Sequence, residues 1–183
     1  MATHVGVFCG SRPGKNPIFI EKAREFGERL AEAGFILVYG AGDEGIMGAI
    51  SEAALSRGGK VHGFIPNDMY RRGWFKQKLS KLETQRDIHD RQKRMYAESK
   101  VTVTLPGGYG TLVECLEVLT WAQLGYHGTS KPHYILNLDG YYNPLVEMLY
   151  KVVDEGFAGF RDFMLFTVVH TVDELMSELA AYK

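Results

Sequence analysis

Cysteine is scarce in this chain, and the two that occur, Cys9 and Cys115, stand far apart and form no CxxC pair. A disulfide framework and a zinc knuckle are thereby excluded, and a reducing compartment fits. The six histidines show no HxxxH or HxH spacing, so no metal ion is expected in the chemistry. No apolar run reaches the ~18 residues of a membrane-spanning helix. The first residues, MATHVGVFCGS, lack a basic stretch followed by a long apolar one, so a cytoplasmic protein without a signal peptide is expected. An excess of charge is also missing: 21 Lys and Arg face 22 Asp and Glu, which gives bulk charge no means of drawing in nucleic acid. Repeats, low-complexity tracts and linkers are absent. What remains is a chain of 183 residues, 45% hydrophobic and 23% charged, which suits one globular domain over 1–183 with a sizeable core.

The apolar pattern alternates between short strand-like runs and helical stretches. HVGVFCGS (4–11), FILVYG (35–40), KVHGFIP (60–66), VTVTLPG (101–107), HYILNLDG (133–140) and MLFTVVH (164–170) read as strands. Helices are expected near 17–33, 45–57, 87–99, 110–124, 144–155 and after Thr171. Asn16 is the candidate N-cap of the first, with Pro17 at its first position, and Gly34 ends it. Phe19, Ala23, Phe26, Leu30 and Ala33 mark its apolar face. Thr171 and Glu174 form a capping box for the last helix. Residues 67–86 read as a long polar connection. Strands alternating with helices predict an α/β fold, a Rossmann-like doubly wound parallel sheet with helices on both faces. In such folds ligands sit beyond the carboxyl ends of the strands. That rule selects Gly10 and Ser11, the loop 40–48, the loop 66–86 and the segment after residue 104.

LPGGYGTLVE (105–114) is the strongest of these. Gly107, Gly108 and Gly110 can take positive φ and admit a ligand against the backbone. The helix starting near 110 turns free N–H groups toward the same space, and Thr111 adds a hydroxyl. Together they predict an anion site, most simply for a phosphate. YGAGDEGIMG (39–48) carries a G-x-G-x-x-G pattern in Gly40, Gly42 and Gly45, which raises a nicotinamide-dependent oxidoreductase as an alternative. Three features oppose it. The loop follows the second strand, Asp43 and Glu44 put negative charge where a pyrophosphate would lie, and no ribose-binding acid ends the next strand. GSRPGKN (10–16) lacks P-loop spacing and has Asn16 in place of the hydroxyl residue. Cys9 reads as a small buried residue at a strand end rather than a nucleophile.

In DIHDRQKRM (87–95), Ile88, Gln92 and Met95 share one helical face, and His89, Lys93 and Tyr96 roughly another. Arg91 and Arg94 read either as a solvated basic face or as an arginine that reaches the anion. Glu114 and Glu117 lie in the first turns of the helix after the glycine loop, about one turn beyond Gly110 for Glu114. A carboxylate there can orient water or stabilise a cationic sugar.

These segments resemble one known family. PGGYGTLVE, from Pro106 to Glu114, matches the PGGxGTxxE signature of the LONELY GUY (LOG) proteins, which are cytokinin riboside 5′-monophosphate phosphoribohydrolases. VFCGS (7–11), YGAGDEGIMG, IHDRQKRM (88–95), LTWAQLG (119–125) and DGYYNPL (139–145) are similar to family segments in order and spacing. The resemblance implies a Rossmann-like homodimer with its sites close to the subunit interface. It also implies hydrolysis of a nucleoside 5′-monophosphate to free base and ribose 5-phosphate, with no cofactor and no metal. It makes Arg91 and Glu114 the catalytic pair. Substrate contacts are implied for Gly107, Gly108, Tyr109, Gly110, Thr111, Gln92, Thr120, Ser11 and Gly42. Gln92 stands where the family has Lys, and Ala41 where it has Gly. Some members have been labelled lysine decarboxylases, but that chemistry needs an electron sink, and no lysine here stands in a recognisable setting for one. Five basic residues and no acid occupy 69–82, read as a solvated surface or as a preference for a more anionic ligand. Adenine, an N6-prenylated adenine and other bases all remain open. A nucleotide-binding protein without catalysis is the second reading, and the two differ on whether Glu114 is needed near C1′.

Overall fold

A computed structural model describes residues 2–126 and 131–183. Seven strands form one sheet in the order β4-β3-β2-β1-β5-β6-β7. They are β1 (His4–Phe8), β2 (Ile36–Tyr39), β3 (Lys60–Pro66), β4 (Lys81–Gln85), β5 (Val101–Thr104), β6 (His133–Leu136) and β7 (Thr167–Val169), and every neighbouring pair is parallel. The order reverses between β1 and β5, so the crossovers on the two sides lead apart and leave a crevice at that point. Helices α1 (Ile18–Glu32), α2 (Gly45–Ser56), α3 (Asn67–Arg71), α4 (Ile88–Glu98), α5 (Tyr109–Leu124), α6 (Asn143–Asp154) and α7 (Val172–Leu179) connect the strands.

Strands buried on both faces explain the unbroken apolar runs. Val5, Val7, Leu37, Tyr39, Val103 and Leu105 face α1, α2 and α7 in one core layer. Phe8, Val38 and Phe64 face Met95 and Tyr96 of α4 and Val118 and Trp121 of α5 in another. On α1, Phe26 and Leu30 are fully buried, each contributing about 2 kcal/mol. The N-cap is Pro17, one residue after the expected Asn16, whose Oδ1 accepts the Ile18 N–H at 3.1 Å. Gly34 takes φ +80° just past its end.

Three expectations need correction. The stretch 67–86 is not an unstructured connection: it contains α3 and the edge strand β4, paired in parallel with β3. KLETQ carries no apolar alternation because an edge strand is half solvated, and its charges guard the open edge. The last strand is shorter than 164–170: β7 is Thr167–Val169, and Met164 ends a 3-10 turn, Phe160–Met164. On the last helix, Thr171 accepts the Glu174 N–H at 3.1 Å, but the Glu174 carboxylate returns to His170 N at 2.7 Å rather than to Thr171.

Candidate active site

The crevice between β1 and β5 is drawn together by backbone bonds. Gly10 N donates to the Pro106 carbonyl, and Met47 N donates to the Gly10 carbonyl, both at 3.1 Å. The glycine loop, the end of β1 and the start of α2 therefore form one rigid floor. Tyr142 Oη donates to the Leu105 carbonyl at 2.7 Å, and Tyr141 Oη donates to the Gly107 carbonyl. Asn137 Oδ1 in turn accepts the Tyr142 N–H at 2.7 Å. DGYYNPL is thus the scaffold of the glycine loop, a role its sequence does not announce.

The three loop glycines do not take positive φ; Gly108 has φ −94°. They serve by lacking a side chain. A Cβ at Gly107 would lie 2.1 Å from Thr111 Oγ1, so this position is closed by packing. A Cβ at Gly108 or Gly110 would meet no atom within 4 Å. At those two positions the missing side chain leaves space above the first turn of α5. There the amides of a helix start have no intrahelical partner. Thr111 is buried below this turn, whereas Ser11 and the side chain of Tyr109 are exposed.

Beneath the turn lies the decisive contact. Arg91 of α4 and Glu114 of α5, 23 residues apart, form a hydrogen-bonded ion pair with side chains 8% and 6% exposed. Burial raises the Glu114 pKa above the ordinary carboxylate value; the Arg91 charge opposes this and Glu117 reinforces it. The Arg91 Nε and the Gln92 Oε1 are buried without a hydrogen-bond partner among the described residues. A polar group of a ligand at this place would satisfy them. Glu117, one turn on, has one buried unpaired oxygen. Burial raises its pKa as well, against the charges of His89 and Lys93.

The buried stripe of α4 is Arg91, Gln92, Met95 and Tyr96, while Ile88 is exposed. The helix is rotated from the face its apolar residues predict, because the ion pair turns Arg91 inward. Arg94 is solvated in part and pairs with Glu83 and Glu98. Cys9 lies buried near the pair, and burial, then Glu114, raises its thiol pKa, so no thiolate is available there. Thr120 is exposed and donates to the Leu116 carbonyl of its own helix at 2.8 Å, so this chain alone does not bring it to the pair. A separate surface recess lined by Asn16, Lys22, Asp139 and Asp173 includes none of these residues.

Residues 47–179 match the family described as "Possible lysine decarboxylase". The chain is 41% identical over 178 residues to the probable cytokinin riboside 5′-monophosphate phosphoribohydrolase LOGL5 of Oryza sativa subsp. japonica, covering 97% of this chain and 72% of the relative. It is 41% identical over 177 residues to the cytokinin riboside 5′-monophosphate phosphoribohydrolase LOG7 of Arabidopsis thaliana, covering 97% and 81%. The chain belongs to the LOG family.

The LOG fold is shared with solved structures of low identity. The molybdenum cofactor binding protein of Rippkaea orientalis superimposes with a TM-score of 0.76 at 18% identity, over 100% of this chain and 98% of that one. The Moco carrier protein of Chlamydomonas reinhardtii does so with 0.72 at 20% identity, over 99% and 97%.

In this LOG chain the second glycine loop has internal reasons for its pattern. A Cβ at Gly40 would stand 2.8 Å from Arg91 Nη1, and one at Gly42 would stand 2.8 Å from Met47 Sδ. Gly45 has φ +60° against the Ser11–Arg12 backbone. The G-x-G-x-x-G spacing therefore houses Arg91 and seats α2, and needs no pyrophosphate. Asp43 is bound by Lys76 at 2.8 Å, and Lys76 also reaches Glu52 at 2.7 Å. Lys76 N donates to the Ala41 carbonyl at 2.8 Å. The basic loop is thus clamped onto the glycine loop. Arg72 stacks on Trp74, and Lys81 pairs with Glu83. Charge complementarity between Asp43 and 69–82 was the one available signal for this.

Proposed function

We propose that this protein hydrolyses the N-glycosidic bond of a purine nucleoside 5′-monophosphate, releasing free base and ribose 5-phosphate. The observation that carries this reading is the buried Arg91–Glu114 pair beneath an open, glycine-lined helix start. Gly107, Gly108, Tyr109, Gly110 and Thr111 take the 5′-phosphate at the amides and dipole of α5. The phosphate anchor fixes the ribose over Glu114. The C1′–N bond breaks with its electron pair leaving on the base, which takes up a proton from solvent water. Water forms the new bond to C1′ and gives its own proton to the Glu114 carboxylate. Before that transfer the same carboxylate stabilises positive charge at C1′. A guanidinium is a poor acid because it holds its proton. Arg91 instead orients Glu114 and donates its unused Nε–H to the substrate, with Gln92 beside it. Ser11 and Gly42 line the wall toward β1 and β2.

The same reading includes a homodimer in a reducing, cytoplasmic setting. Tyr109, Val113, Leu116 and Leu124 are exposed along one stripe of α5, with Thr120 among them. Phe157, Phe160 and Met164 are each more than 80% exposed, and Gln123 ties α5 to this segment through Asp162 at 2.8 Å. A second copy packed there would cover this exposed apolar surface. It also brings Tyr109 and Thr120 beside a neighbouring site. Both cysteines are free and buried, which suits reducing surroundings. Among the described residues no helix is long and apolar enough to cross a membrane.

The test is incubation with AMP and with N6-isopentenyl-AMP, followed by chromatography for free base. Release from either supports the reading, and the ratio of rates names the base. Binding without release from either overturns hydrolysis of these purine substrates and favours the binding-only alternative.

A further inference from the structure

At the amino-terminal end of the sheet, away from the crevice, three side chains from three elements converge. His4 opens β1, His62 lies in β3, and Glu98 is the last residue of α4. Among the described residues this is the group of His, Cys, Asp or Glu whose donor atoms all lie within 4.8 Å of one another. The distances are unusual. Glu98 Oε1 is 3.6 Å from His4 Nε2 and 3.4 Å from His62 Nδ1. These are too long for good hydrogen bonds. The His62 Nδ1 is buried and unpaired for that reason. Ligands held about 2.05 Å from a tetrahedral ion stand about 3.4 Å from one another, the edge of the tetrahedron. The observed separations match that edge and not a direct bond.

We propose that His4, His62 and Glu98 form a binding site for one divalent ion of the zinc type, with water as fourth ligand. Two imidazoles and a carboxylate are a known donor set for such ions. The opposing charges are Lys81 Nζ, 3.5 Å from Glu98 Oε1, and Arg94, 3.0 Å from Oε2. Arg94 occupies the oxygen that faces away from the histidines. Lys81 has a second partner in Glu83 at 3.1 Å and is partly exposed, so its ammonium can withdraw as the dication enters. Both cations weaken the site, so a modest affinity is expected.

The spacing rules for metal ligands miss this group because its members come from separate strands and a helix. Its consequence is mechanical. The ion would pin the far end of α4 to β1 and β3. Arg91 lies seven residues up the same helix, about 10 Å along its axis.

The test uses protein freed of metal with EDTA and titrated with Zn2+ by calorimetry, with Co2+ as a visible probe. One ion per chain is expected, with the intense absorption of tetrahedral cobalt and a raised Tm. His4→Gln and His62→Gln should each lower the affinity by roughly tenfold or more. The two buried cysteines do not compete, so cobalt–thiolate absorption should be absent. No binding near 1:1, or wild-type affinity in both variants, overturns the site. His4 is at the strand start and partly exposed, so His4→Gln decides the matter if His62→Gln does not fold.

Discussion

Gly40 faces the Arg91 guanidinium so closely that a methyl group on its Cα would lie 2.8 Å from Nη1. The missing side chain at the end of β2 thus leaves room for the guanidinium that pairs with Glu114.

Gly40→Ala should therefore leave a folded protein with a displaced Arg91. The expected loss in kcat/KM is about 10²-fold, the usual cost of a misplacement near 1 Å. Circular dichroism together with steady-state kinetics checks this, and wild-type activity would show that Arg91 tolerates movement.

The loop after β5 separates packing from binding. Gly107→Ala places a Cβ 2.1 Å from Thr111 Oγ1 and should destabilise the fold strongly. Gly108→Ala meets nothing within 4 Å, so its stability should change by less than about 0.5 kcal/mol, while KM rises severalfold because the methyl occupies the ligand's space. Unfolding curves beside kinetics for both variants check the contrast. An unchanged KM in Gly108→Ala would remove the phosphate from that turn.

Glu114→Gln keeps the shape and a hydrogen bond to Arg91 but loses the charge. We expect kcat to fall by about 10³-fold, with nucleotide affinity within about tenfold. In the wild type the acid limb of kcat/KM should lie above pH 4.5, because burial raises the Glu114 pKa from that value and the reaction needs the carboxylate. A pH–rate profile with its limb at or below 4.5 would contradict this role.

His133 makes the fold sensitive to acid. It is buried at the start of β6, with its ring nitrogens on Thr102 Oγ1 at 2.8 Å and Thr104 Oγ1 at 3.2 Å. Burial pushes its pKa down from 6.5 to about 3. The unfolded chain therefore takes up a proton that the folded chain refuses. The stability linked to this group is present above pH 6.5 and is lost as pH falls toward 3. The slope is about 1.4 kcal/mol per pH unit, so ~2 kcal/mol should be lost between pH 6.5 and 5. Urea unfolding at several pH values measures it, and His133→Asn should flatten the dependence over that range.

Leu116 lies at the middle of the exposed stripe of α5. Leu116→Asp should turn a dimer into a monomer in sedimentation experiments, with little change in the secondary structure of the chain. A wild-type protein that is already monomeric at all concentrations would place the subunit contact elsewhere or remove it.

Much of this was legible in the residues. The buried strands are apolar runs, the stop at Gly34 is a residue type with one local purpose, and PGGYGT marks its helix start by composition. These signals are local: each depends on neighbours within a turn or a strand. β4 escaped because KLETQ lies half in water at the sheet edge, where alternation no longer carries a burial advantage. Positive φ was the wrong reason for Gly107, Gly108 and Gly110, since composition does not distinguish a special backbone angle from a place where a side chain is missing.

The sequence by itself determined the alternation of strands and helices, the place of the glycine loop and the chemical types available to it, because hydrophobic period and residue shape act over a few positions. Only the tertiary structure decided that Arg91 meets Glu114, that Lys76 clamps Asp43, that Tyr141 and Tyr142 hold the loop, and that His4 and His62 face Glu98. Those pairings join residues far apart in the chain. They exist because a parallel sheet places distant strands side by side, and because burying a charge requires a partner that only the packed fold can supply.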